Sequence, residues 1–292
     1  MLFLALQDWF YRFRPFTTFH ALVAGICGVL IVAACWYGGT RHTPGSPQER
    51  RFRLAWGWSI LACQAFATVW RLWPEHYTLH DGLPFQLCRI AGWVCGLSMV
   101  FGVRGNVEGE GGSEGGWRWA RTATYFWGLG LCSQGIVTPL RLDGLSSMEF
   151  WLFWTVHLQI VGSAVYDVAV LRYRPALRDL GTAALLSLGY LAFIVPFNVI
   201  MNTDYGWLGR GLAVSKDMGW LGDGRYRTRN IIDHLGMWPE RPVLLTLLGL
   251  SVMSMLWLVW QRPFKRLRAI FAVRPSSASG EQKREPLEAG AA

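Results

Sequence analysis

The chain has 292 residues, of which 52% are hydrophobic and only 16% charged, with 17 Trp and 16 Phe, and this is too little charge to cover the surface of a soluble domain of that length. Its formal charge of +9 does not call for a nucleic acid as partner, because basic residues on one side of a membrane protein set its orientation, and no basic-aromatic groove pattern or nucleic-acid-binding motif is found. All six cysteines, Cys27, Cys35, Cys63, Cys88, Cys95 and Cys132, fall inside apolar stretches, which argues against a disulfide framework, and no C-x-x-C pair offers a metal site.

Residues 1–18 mix Leu, Phe and Trp with Arg12 and Arg14. They lack the ordered zones of a cleavable signal and read as an interfacial segment. Behind them come apolar stretches at Phe19–Tyr37, Leu54–Trp73, Pro84–Val103, Trp119–Leu140, Phe150–Leu171, Leu180–Met201 and Pro242–Gln261. Each approaches the roughly 20 residues that cross a bilayer as helix. The fold class expected is all-α, a single polytopic membrane helix bundle over residues 19–261 with about seven transmembrane helices. Gly105–Gly116 reads as a flexible linker by its glycine content. Residues 202–241 read as a long external loop, and 262–292 as a basic, then disordered, cytoplasmic tail. No internal repeat is visible, so an inverted-repeat transporter gains no support.

Basic residues set the expected orientation. Arg41, Arg50, Arg51 and Arg53 follow the first span, Arg104 and Arg118 flank the linker, and Arg172, Arg174 and Arg178 follow the fifth span. Arg262, Lys265, Arg266 and Arg268 follow the last one. Placing these four regions in the cytoplasm puts the N-terminus outside and the C-terminus inside.

That topology gives the unusual polar residues a depth. The stretch Leu83-Pro84-Phe85-Gln86-Leu87-Cys88-Arg89 brings an amide, a thiol and a guanidinium to the outer end of the third span, with Cys88 about one turn in. His157 lies roughly two turns into the fifth span, Gln134 and Thr138 near the outer end of the fourth, and Asn198 near the outer end of the sixth. Polar groups inside apolar spans are functional candidates by default, and convergence at one level is what a site requires.

A thiol in an apolar setting needs a proton acceptor to become a nucleophile, and neutral imidazole suits that work near neutral pH. Gln86, Gln134 and Asn198 are candidate hydrogen-bond donors to an oxyanion formed on an acyl carbonyl. Arg89 either holds a lipid phosphate or snorkels to the interface. The plainer readings stand beside these: Cys88 as a small apolar filler and His157 as an interhelical hydrogen bond. A metal at His157 is disfavoured, because no second His or carboxylate lies at helical spacing on its span.

The external segment holds Asn202-Thr203-Asp204-Tyr205-Gly206-Trp207-Leu208 and later Asp233-His234-Leu235-Gly236-Met237-Trp238-Pro239. Trp207, Trp220 and Trp238 suit an aromatic belt at the interface. Asn202, Asp204 and Tyr205 are candidates to lid the pocket or select a headgroup, and Asp204 and His234 are candidates to orient His157.

The order LPFQLCR, YFWGLGLCSQGIVTP (Tyr125 to Pro139), a span with His157, FNVIMNTDYGWL (Phe197 to Leu208) and DHLGMWP resembles the bacterial YwaF-like integral membrane proteins. It is also similar to their eukaryotic relative, transmembrane protein 164, a cysteine-dependent phospholipid acyltransferase. The resemblance covers roughly Leu83 to Gln261. It implies Cys88 as the acyl-carrying nucleophile and His157 as its base, within a multi-pass protein of the bacterial cytoplasmic membrane. This chain has Asp204 where the family pattern usually has Asn, and Asn202 where it has Gly, which leaves the headgroup open.

The expected function is transfer or hydrolysis of fatty acyl groups, with membrane phospholipid or lysophospholipid as partner. No cofactor is expected, because the ester supplies the acyl group. The alternatives are a non-enzymatic lipid binder or carrier and, with less support, a secondary transporter, which would need ionisable groups near mid-membrane where only His157 and Asp167 lie within a span. Oligomeric state is not legible.

Overall fold

The computed structural model describes residues 9–40, 42–79, 81–102, 117–139, 143–209, 235–236 and 238–261. Its helices are α1 (Thr18–Thr40), α2 (Pro47–Leu72), α3 (Leu87–Phe101), α4 (Arg118–Tyr125), a π-helical segment (Phe126–Cys132), α5 (Gln134–Val137), α6 (Met148–Ala169), α7 (Leu177–Met201) and α8 (Glu240–Leu258). Among the described residues there is no strand beyond one antiparallel bridge between Arg12 and Asp143. The all-helical expectation is met, and α1, α7 and α8 are each long and apolar enough to cross a membrane. The linker at 105–116, His234 and the tail from 262 lie outside the described residues, as does most of the 202–241 loop.

Helix starts follow capping chemistry more closely than hydropathy. α2 begins at Pro47, seven residues before the apolar stretch that predicts it. Ser46 Oγ accepts the Glu49 amide at 3.2 Å, and Glu49 returns by accepting Gly45 N–H at 3.3 Å. Ser46 is thus a side-chain N-cap with proline at the first helical position, and Glu49 ties back the residue before it. Arg50, Arg51 and Arg53, expected in a connection, are therefore in the first turns of α2. In the same way α3 starts at Leu87 rather than Pro84, because Pro84 and Phe85 form a turn closed by the extended Gln86 at the N-cap.

The charges that hydropathy cannot accommodate are paired inside the bundle. Arg53 bonds Glu49 at 3.2 Å and the Met99 carbonyl at 2.5 Å, while Tyr166 donates to Glu49 at 3.1 Å. Asp167, only 1% exposed, is held by Arg121 at 2.7 Å, and Asp179 accepts from Arg118 at 2.6 and 2.9 Å. A buried carboxylate locked to a guanidinium is a fastening, and removing either partner is strongly unfavourable.

α6 is the central element. It touches α1, α2, α3, α4, the π-helical segment and α5. Small residues let its neighbours approach, as is usual where apolar helices pack. A Cβ on Gly128 would sit 2.9 Å from the Ala164 methyl of α6, and one on Gly130 would sit 3.2 Å from Leu256 of α8. The predicted fourth span is thus helical but not uniform: its glycine-rich middle widens into the π-helical segment between α4 and α5, a distortion that often marks functional positions.

Candidate active site

The chain ahead of α3 is shaped by a set of buried hydrogen bonds. Arg89, 7% exposed, donates to the Asp81 carboxylate at 2.6 Å, to the Leu83 carbonyl at 2.9 Å and to the Asp81 carbonyl. Tyr205, fully buried, donates its hydroxyl to the Leu79 carbonyl at 2.6 Å and accepts Leu83 N–H at 3.1 Å. Tyr190 donates to the Phe85 carbonyl at 2.9 Å, and Gly206 N–H donates to Gln86 Oε1 at 3.0 Å. Arg89, Tyr190, Tyr205 and Gly206, from three parts of the chain, therefore fix where α3 begins.

Cys88 falls in the first turn of that helix. The Gln86 carbonyl accepts the amides of Arg89 and Ile90 at 2.9 and 3.2 Å. The Gln86 side chain does not cap the helix, and among the described residues no acceptor pairs with the N–H groups of Leu87 or Cys88. The first backbone donors of a helix have no intrahelical partner by construction, so two amides sit beside the sulfur without a bond.

His157 reaches the sulfur from α6. Its Nδ1 lies 2.8 Å from the Phe153 carbonyl. A carbonyl only accepts, so Nδ1 carries a proton, and in the neutral imidazole the lone pair is on Nε2. The Cys88 thiol lies beside His157, close enough to interact with it electrostatically, and Nε2 is the ring atom left to accept a proton from it. Cys88 is half-buried, whereas Cys95 and Cys132 are buried at 0% and 4% exposure. Behind the ring, a Cβ on Gly135 would overlap His157 Cδ2 and Nε2. Ile136, the next residue, gives its carbonyl to His20 Nε2 at 2.8 Å, and His20 Nδ1 accepts Phe16 N–H at 3.0 Å. Both bonds of His20 require the neutral tautomer protonated on Nε2.

A family model described as the TMEM164 family matches residues 15–260. The chain belongs to the TMEM164 family. No curated protein and no solved structure matches the chain. Family membership, together with helices apolar and long enough to span, makes it an integral membrane protein. The TMEM164 match includes Cys88, His157 and every residue that holds them.

The remaining candidates of this TMEM164 protein are divided in their surroundings. Gln86 adjoins the pair at the start of α3. Gln134 is exposed at the start of α5, its Oε1 approached by Thr138 at 3.4 Å. Asn198 is wholly buried, with Oδ1 accepting from Thr203 at 2.8 Å and from Tyr205 N–H at 2.9 Å while Nδ2 donates to the Tyr205 carbonyl at 2.9 Å. Its amide thereby shapes the turn after α7, where Asn202 takes a left-handed conformation. Asp204 accepts Gly209 N–H at 2.7 Å and lies 3.7 Å from Arg241. Burial raises its carboxyl above the ordinary range, against the opposing pull of the Gly209 amide and Arg241. The loop meets α3 through Tyr205 and Gly206.

Sequence reading did not single out Arg71, Gly135, His20 or Tyr190. Arg71 bonds Glu149 at 2.8 Å, lies 4.0 Å from Asp81 and flanks Cys88 together with Arg89. Gly135 had a signal in retrospect, since a glycine within an apolar span marks a close approach. His20 and Arg71 had none beyond being polar residues at the ends of spans.

Proposed function

We propose that this membrane protein is a lipid acyltransferase or acyl hydrolase that works through a thioester on Cys88. The observation that carries the reading is the juxtaposition of Cys88 and His157, with His157 Nδ1 committed to Phe153 and Nε2 available as base. A nucleophile bonded to a base that is itself oriented by a third group is the arrangement of covalent acyl transfer. Here a backbone carbonyl does the orienting.

In the first half-reaction the Cys88 proton passes to His157 Nε2 and the sulfur attacks the ester carbonyl of a glycerophospholipid. The oxyanion is met by the Leu87 and Cys88 N–H groups at the start of α3, with Gln86 and Gln134 as further donors. Collapse breaks the ester C–O bond, and the lysophospholipid leaves with the proton from Nε2. In the second half-reaction a lysophospholipid hydroxyl or water gives its proton to Nε2 and attacks the thioester, returning the sulfur. The ester supplies the acyl group, so no cofactor enters. Arg89, Asn198 and Tyr205 act by holding the protein around the sulfur, while Asn202 and Asp204 face the headgroup side.

The same reading takes the bundle over residues 19–261 to cross a bacterial cytoplasmic membrane about seven times, with residues 1–18 at the interface, 202–241 outside and 262–292 inside. The basic residues of the connections support that orientation.

The test is direct. Detergent-purified protein incubated with a phospholipid bearing a labelled acyl chain should form a hydroxylamine-sensitive adduct on Cys88, absent in Cys88→Ser and slowed in His157→Ala. An adduct shared equally with Cys95 or Cys132, or no adduct at all while lipid still binds, would leave the lipid-carrier reading in its place. Reagent labelling of single cysteines at the two termini in intact cells tests the orientation.

A further inference from the structure

Gln64 sits on the face of α2 that packs against α3 and is 1% exposed. Its side chain lies directly over Gly92: a Cβ there would overlap Nε2, and would stand 3.1 Å from Oε1. Gly92 is four residues beyond Cys88, one turn further along nearly the same face of α3. The helix pairings give the level on the other side. Arg71 meets Glu149 and Trp56 meets Ser163, so α2 and α6 run antiparallel and Gln64 stands opposite the turn that carries His157. Gln64 therefore stands at the level of the pair, one turn along α3 from Cys88.

Among the described residues, Gln64 Nε2 has no hydrogen-bond partner. An amide donor kept in an apolar interior without an acceptor is costly and calls for an explanation. Thr68 and the rest of α2 do not supply one, since Thr68 bonds only the Gln64 carbonyl. The other unpartnered buried donors on nitrogen are placed elsewhere or are already charged and paired: Trp154 with the aromatic group of Phe13 and Phe150, Trp257 near the end of α8, Arg71 with Glu149 and Arg241 with Asp204.

We infer that Gln64 is a catalytic residue of this site, donating from Nε2 to the oxyanion that forms when the Cys88 sulfur attacks an acyl carbonyl. The inference rests on the acyl-transfer reading above and adds a side-chain donor from α2 to the two backbone donors at the start of α3. The acceptor that the amide lacks in the resting protein exists only while the carbonyl oxygen carries charge. Gly92 keeps the space through which the amide reaches the sulfur's side of α3.

The experiment separates thiol reactivity from oxyanion stabilisation. Alkylation of Cys88 by iodoacetamide forms a C–S bond and expels iodide without any oxyanion. Acylation by a p-nitrophenyl fatty acyl ester forms a thioester, releases p-nitrophenolate and passes through one. Gln64→Met and Gln64→Leu should slow acylation by roughly 10² to 10³-fold while alkylation proceeds at the native rate. Acylation at the native rate in both variants overturns the assignment. A parallel fall in alkylation and acylation also overturns it, since Gln64 then shapes the thiol or the fold. If the unsubstituted chain is alkylated at Cys88 but never acylated, the acyl-transfer reading itself fails and takes this inference with it.

Discussion

Gly135 is packed so tightly on His157 that a single methyl group would overlap the Cδ2 and Nε2 edge of the imidazole. That edge carries the lone pair facing Cys88, because Nδ1 is bound to Phe153. Gly135→Ala should push the ring away from the sulfur while leaving the rest of α5 and α6 in register. Displacements on the order of an ångström at a reacting group can lower rates about 10²-fold. The expected outcome is a loss of that size in Cys88 thioester formation, with helical content by circular dichroism unchanged. Native acylation in Gly135→Ala would mean that His157 does not serve the sulfur from that edge.

The bundle was legible because apolar runs of span length are a strong signal, and counting turns put Cys88 in the first turn of α3 and His157 a little over two turns into α6. Local chemistry shifted the details. Ser46, Pro47 and Glu49 cap α2 seven residues ahead of its apolar run, and the glycines of Phe126–Cys132 replace a regular helix with a wider one. What sequence could not supply were the pairings across distance. Arg89 looked like a phosphate ligand or a snorkelling residue, yet its partners are Asp81 and Leu83, both within eight residues. Asn198 looked like an oxyanion donor, yet its three bonds all close the turn to Tyr205. Gln64 had no distinguishing pattern, and only its burial without an acceptor brings it forward.

Asp204 gives the fold a pH dependence of predictable sign. Burial raises its carboxyl above the ordinary value of 3.8 in the folded protein, so the folded state holds the proton more tightly than the unfolded chain. The stabilisation is then fully present below 3.8 and is lost as pH rises through the raised folded value. Asp204→Asn keeps an acceptor for Gly209 N–H and removes the titration. Thermal midpoints of the two proteins measured across the acid range should differ least at low pH, with the variant relatively more stable above it. Parallel profiles would show that Asp204 does not titrate with folding.

Arg89 is expected to act on the fold and only through it on the sulfur. Replacing it with Met removes three donors from the Asp81–Leu83 segment and leaves the Asp81 carboxylate, 28% exposed, with Arg71 at 4.0 Å. Hydrogen bonds to charged groups contribute about 1.5–3 kcal/mol each, and the partial exposure of Asp81 places the loss near the lower end, about 2 kcal/mol. Arg89→Lys should recover little, since one ammonium cannot reproduce the fork across a carboxylate and two carbonyls. Denaturation in detergent checks the stability. Kinetics with anionic and zwitterionic phospholipids check the role: an equal change for both fits a clamp, and a selective loss for one headgroup would make Arg89 a substrate ligand.

His20 should matter to the site although it touches neither Cys88 nor His157. Its Nε2–H holds the Ile136 carbonyl and its Nδ1 accepts Phe16 N–H, so it ties the start of α1 to the residue after Gly135. Leaving two buried polar groups without partners costs about 1–3 kcal/mol for each. His20→Phe keeps the aromatic packing against Phe13 and Trp154 while removing both bonds, and a lowered thermal midpoint is expected. Because Ile136 carries Gly135 against the His157 ring, thioester formation should slow as well. His20→Gln, which retains a donor for Ile136, should restore more of the acylation rate than of the stability. A variant that loses stability but acylates Cys88 at the native rate would confine His20 to joining α1 and α5.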